Sequence, residues 1–86
     1  MGTTRASISA RVKMIFIEIL GVKAADVADT AAIVDDLGTD PLKISQLSML
    51  IEEEFGIFIA EESMEQLVTV GDVIDFVWGS KRLYGQ

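Results

Sequence analysis

The chain has no cysteine and no histidine. Disulfides, thiol nucleophiles, zinc sites of the usual ligand type and imidazole acid–base chemistry are therefore excluded. No paired nucleophile and base stand out either, so the chain does not read as an enzyme. No run of about 18 apolar residues exists, which argues against a membrane span. The start, MGTTRASIS, is too polar for a secretory signal, and Ala6 stands where a myristoylation motif on Gly2 wants Ser or Thr. A soluble cytoplasmic protein is the expectation. Proline is almost absent: Pro41 is the only one.

Cations are scarce too, with seven Lys and Arg against fourteen acids and a net charge of −7. The excess is local. Residues 35–65 hold nine acids against Lys43 alone, while the flanking segments nearly balance. Such a surface repels nucleic acid and anionic lipid and attracts basic protein surfaces, although a solvated acidic face would also keep a small hydrophobic protein soluble. The adjacent Asp35 and Asp36 lack the spacing of a calcium loop, so no specific metal site is expected.

Half of the 86 residues are hydrophobic, enough for one modest core in a single domain spanning 1–86. Ile8, Val12, Ile15, Phe16, Ile19 and Leu20 follow helical spacing. Ser7 or Ser9 suits the start of that helix and Gly21 its end. From Val22 to Asp40 the periodicity fades into a long loop, with Val27, Ile33 and Leu37 as its anchors on the core. A second helix is expected from the pair Asp40-Pro41. Aspartate accepts backbone N–H bonds as N-cap, and proline fits the next position because its missing N–H has no helical partner there. Ile44, Leu47, Leu50 and Ile51 form its buried stripe, and Gly56 should end it just after Phe55.

Ile57, Phe58 and Ile59 are too few for a helix and have no second strand to pair with, so they read as a crossing loop. A short helix near Glu61–Leu67 follows. Thr69 and Asp72 resemble a capping box for a last helix that uses Val70, Val73, Ile74 and Val77 and stops near Gly79, leaving a frayed tail. The expected fold is all-α: a four-helix bundle of three longer helices and one short one, with a long first loop and a core over about residues 8–78.

ARVKMIFIEILGVK, VDDLGTDPL, LIEEEFGIFI and TVGDVIDFV, in that order and spacing, resemble the acyl carrier proteins of fatty-acid and polyketide synthesis. The resemblance implies the same four-helix bundle. It also implies an Asp-Ser-Leu motif at the second helix start, whose serine hydroxyl carries 4′-phosphopantetheine. Here the triplet is Asp40-Pro41-Leu42. Asp40 and Leu42 remain, and Pro41 has no hydroxyl to esterify. No bound cofactor is expected on this chain as written, although the family uses 4′-phosphopantetheine.

Ser45 lies one turn on, Ser48 follows, and Thr39 precedes in the loop. Mid-helix serines commonly bond back to a carbonyl one turn earlier, and moving the attachment point by a turn displaces the arm by roughly 5–6 Å.

The resemblance also makes the second helix a docking helix for basic surfaces of synthase-type enzymes. Met49, Glu52, Glu53 and Ile59 carry that pattern over, and Glu61 and Glu65 add charge on the short helix. Lys43, Gln46, Ser45 and Phe58 depart from it. Phe58 reads equally as a contact residue or as core, whereas Trp78, ending an apolar helix, favours core. Two readings stay open. One is a monomeric carrier-shaped module that acts by docking, as scaffold, decoy or regulatory subunit. The other is a working carrier, modified at another hydroxyl or altered in the laboratory at Pro41.

Overall fold

The computed structural model describes residues 4–84, with side chains described through Lys81; Gly2 of the myristoylation reading lies outside them. Four α-helices follow one another: α1 (Arg5–Leu20), α2 (Pro41–Phe55), α3 (Glu61–Gln66) and α4 (Val70–Tyr84). Among the described residues there is no strand, only an isolated bridge between Ala32 and Thr69. The all-α architecture, with three long helices, one short one and a long first loop, is as expected.

Helix α1 begins one turn earlier than a serine cap would allow. Its N-cap is Thr4, whose hydroxyl oxygen accepts the Ser7 N–H at 3.1 Å, while the Ser7 Oγ accepts the Thr4 N–H at 3.3 Å. Ser7 is thus the third helical residue of the box, and neither it nor Ser9 is the cap. The helix packs on both α2 and α4 through Ile8, Val12, Ile15 and Phe16. Each long, buried apolar side chain of this kind contributes about 1.5–3 kcal/mol through removal from water.

The long loop closes onto the α4 start. Val27, Ile33 and Leu37 are buried, as their isolation among polar residues predicts. Carbonyls of Ala31 and Asp29 accept the Val70 and Gly71 N–H groups at 3.1 and 2.8 Å, and the Ile33 N–H reaches the Val68 carbonyl at 2.9 Å. The first two bonds satisfy helix-terminal donors that no residue inside α4 can serve. The approach is close: a Cβ on Gly71 would stand 2.9 Å from the Asp29 carbonyl oxygen, so that position has no room for a side chain. Thr69 and Asp72 complete the end as a capping box. The Asp72 carboxylate accepts the Thr69 and Val68 N–H groups, and the Thr69 hydroxyl accepts the Asp72 N–H. Those backbone donors hold the Asp72 pKa below its ordinary value.

Helix α4 does not stop at Gly79 but continues to Tyr84. The reason is tertiary. The Lys81 ammonium donates to the Phe55 carbonyl at the α2 C-terminus, 3.1 Å away, where a cation complements the helix dipole. Gly79 lowers helix propensity without breaking the helix. Of the tail expected to fray, residues 80–84 are helical, and residues 85–86 lie outside the described chain.

Candidate functional site

Helix α2 starts at Asp40-Pro41 as its chemistry dictates. Asp40 has extended backbone angles, its carboxylate accepts the Lys43 N–H at 2.9 Å, and Pro41 occupies the first helical position. The helix ends at Gly56, whose φ of 64° is left-handed and whose N–H reaches the Glu52 carbonyl. Only Leu47 and Ile51 are fully buried along it; Ile44 and Leu50 are half-buried. Pro41 and Leu42 are exposed, Leu42 by 70%.

Next to this helix opens a cleft of about 940 Å³, bounded by α2, α3 and residues 32–35 of the long loop. Phe16, Leu47 and Ile51 lie at its buried side, and Pro41, Ser45 and Ser48 lie along α2. Six large apolar side chains are exposed among the described residues, and four of them, Val34, Met49, Phe58 and Val68, line this cleft. Apolar exposure is therefore concentrated at one place, which scattered surface residues would not produce. Asp35, Glu52, Glu61 and Glu65 supply carboxylates to the lining, and no Lys or Arg belongs to it.

The acids of α2 separate into three roles. Glu54 pairs with Arg11 of α1, tying the two helices together. Glu52 is half-buried and accepts the Ile59 N–H at 2.7 Å, which pins the crossing loop to α2. Glu53 is exposed and, like exposed Met49 one turn before it, faces solvent. Ile59, expected as a docking contact, is instead 5% exposed and part of the core. The Ile59 N–H donates to the Glu52 carboxylate, and with the loop held there Ile59 points inward while its neighbour Phe58 is 79% exposed. Trp78 is half-buried against the core. Val34 and Val68 were not picked out from sequence, since both sit in loops where no periodicity marks a face.

The three hydroxyls also differ. Thr39 donates to the Ile33 carbonyl at 3.2 Å. Ser48 is half-buried, and Ser45 is exposed beside Pro41. No back-bond from Ser45 or Ser48 to a carbonyl one turn earlier is formed.

The phosphopantetheine attachment site family matches residues 10–77. An acyl carrier protein of Solidesulfovibrio magneticus is 45% identical over 71 residues, which span 83% of this chain and 91% of that protein. The fold of this chain is similar to that of a solved acyl carrier protein from Enterococcus faecalis, with a TM-score of 0.77 at 30% identity over 90% of this chain and 98% of that one.

The chain belongs to the acyl carrier protein family.

Acyl carrier proteins are carriers and not enzymes. The family implies a 4′-phosphopantetheine arm. In this carrier-family chain the first position of α2 is proline, whose side chain holds only carbon and hydrogen and closes onto the backbone nitrogen. It offers no oxygen for a phosphodiester, so the helix start does not fit covalent attachment of the arm. No described helix is long and apolar enough to cross a membrane.

Proposed function

We propose that this acyl carrier protein family member works by protein–protein docking, as a scaffold, regulatory or decoy subunit of fatty-acid or polyketide-type metabolism, and carries no arm at the start of α2. The observation that supports this is Pro41. It keeps the cap and the helix, and it lacks the hydroxyl that the family's chemistry uses. A change that preserves shape while removing the reactive atom suits a protein retained for its surface. That surface is acidic: Glu53, Glu61 and Glu65 are exposed beside Met49, and basic enzyme surfaces complement it. The chain acts as a monomer in the cytoplasm.

Ser45 favours a second reading, since its hydroxyl is exposed one turn after Pro41. On that reading the chain is a working carrier with a displaced attachment point.

Incubation with coenzyme A and a broad-specificity phosphopantetheinyl transferase, followed by intact mass measurement, separates the two. The docking reading expects no adduct on the unaltered chain and one adduct on Pro41→Ser. An adduct on the unaltered chain, lost in Ser45→Ala, establishes the second reading and sinks the first.

A further inference from the structure

We propose that Asp29 is a salt-sensitive latch that holds residues 29–33 of the long loop on the start of α4, and that these residues open together while the rest of the bundle stays folded. Such a latch works the same whether or not the chain carries an arm.

Asp29 is where three elements meet. Its carbonyl accepts the Gly71 N–H of α4 at 2.8 Å, a contact that the missing Cβ at Gly71 makes possible. Its carboxylate faces α1, with Lys13 Nζ 2.9 Å from one oxygen and Arg5 Nη2 3.3 Å from the other. Arg5 reaches on to Asp75 of α4, 2.8 Å from Nε to Oδ1. One loop residue is therefore bonded to α4 through its backbone and to α1 twice through its side chain. The hydrogen bond from Lys13, then that from Arg5, holds the carboxyl below its ordinary pKa, so it is charged at neutral pH.

The segment held by this residue is otherwise lightly anchored. Two more backbone bonds join it to residues 68–70, from the Val70 N–H to the Ala31 carbonyl and from the Ile33 N–H to the Val68 carbonyl. Thr30 is exposed, and Ala31 is buried but small, so Ile33 is the one large buried side chain among the five. Val27 before the segment and Leu37 after it are buried and hold its ends. The turn that follows is closed on itself. The Asp36 carboxylate accepts the Ala32 N–H at 2.8 Å, and the Ala32 carbonyl accepts the Asp36 N–H at 2.9 Å, so this turn moves as one piece. A stretch with few buried apolar contacts between firm anchors opens more easily than the whole fold.

Ions reach the latch. The Arg5, Asp29 and Lys13 side chains keep 41%, 42% and 32% of their exposure, so dissolved salt screens the pairs they form. Residues 32–35 also form the loop wall of the cleft, so the state of the latch sets where that wall stands.

The test is amide hydrogen exchange on the whole chain, read residue by residue by NMR. The Ile33, Val70 and Gly71 N–H groups report on the loop, and those of Val12 and Ile74 report on the core. Raising salt from about 20 mM to about 300 mM is expected to speed the three loop reporters about threefold relative to the two core amides. Asp29→Asn keeps the size and the backbone carbonyl. It is expected to speed the same three amides by a similar factor at low salt and to abolish their salt response. Lys13→Gln and Arg5→Gln each remove one partner and are expected to give smaller increases. The urea midpoint should stay close to that of the unaltered chain, since the core is untouched.

Unchanged exchange of the three reporters in Asp29→Asn overturns the latch, and so does a salt response that survives in that variant. Equal acceleration of Val12 and Ile74 also overturns it, because the whole fold has then loosened. A response by Gly71 alone shows that residues 29–33 do not open together, and overturns it as well. Should Asp29→Asn fail to fold, Lys13→Gln decides in its place, and unchanged loop reporters in that variant overturn the proposal.

Discussion

The α1–α4 side and the α2–α3 side of this bundle draw on the same apolar residue types, yet they are closed to different degrees. On the first side Val12, Val70, Val73, Ile74 and Val77 are at or within 1% of complete burial. The loop is bonded to the α4 start, and Arg5 reaches both Asp29 on the loop and Asp75 on α4. On the second side only Leu47 and Ile51 of α2 are fully buried, α3 buries nothing fully, and a cleft remains. The hydrophobic effect is nearly saturated on one side and left partly unspent on the other. A small domain has a thin stability margin, so the residues that hold it together and those that offer a surface are drawn from different sides.

The strongest way to break this contrast is a pair of truncations. Ile74→Ala, at 0% exposure, should cost about 2–5 kcal/mol, whereas Met64→Ala on half-buried α3 should cost well under half of that. Urea unfolding followed by circular dichroism reads both. Equal losses would mean that the two sides contribute alike. Next comes Gly71→Ala. Its Cβ would meet the Asp29 backbone, so a loss of about 1–3 kcal/mol is expected despite alanine's better helix propensity.

Acid should act on the closed side as well. Asp29 has a lowered pKa, first from its hydrogen bond to Lys13 and then from Arg5; Asp72 is lowered by the Thr69 and Val68 N–H groups. Because the folded values lie below the unfolded ones, the folded state binds fewer protons. The stabilisation is complete above the unfolded value of about 4 and is lost as pH falls through the lowered folded values. Asp29 is partly exposed, which screens its ion pairs and keeps its share small. Urea midpoints at neutral pH and in that acid window should differ, and Asp72→Asn should shrink the difference by more than Asp29→Asn. The smallest effect sharpens the contrast from the open side: Phe58→Ser should change stability by no more than about 0.5 kcal/mol, as the urea midpoint would show.

Much of this could be read from residues close together in the chain. The cap at Asp40-Pro41, the Thr69–Asp72 box and the anchors Val27, Ile33 and Leu37 all stand out from their immediate neighbours, and each takes the expected place. Other choices were not readable locally. Thr4 and Ser7 are both competent caps, and the helix starts where Ile8 and Val12 have room to bury. Ile59 and Phe58 are adjacent and similarly apolar. Glu52, seven residues before Ile59, turns one inward and leaves the other in solvent. Gly79 looks like a stop until Lys81 is seen to bond the end of another helix.

Pro41 shows the boundary from the chemical side. Its missing hydroxyl and its fit to a first helical turn depend on atoms within a few residues, so the order of amino acids suffices to establish both. The cleft beside it depends on Phe16, Ile33, Ile51, Met64 and Val73, which are far apart in sequence and meet only when the four helices and the long loop have packed. Local bonding rules act over about one helical turn, whereas burial is settled by neighbours from anywhere in the chain. That is why the absence of a hydroxyl at the start of α2 was legible from the residues, and the place where apolar surface stays open was not.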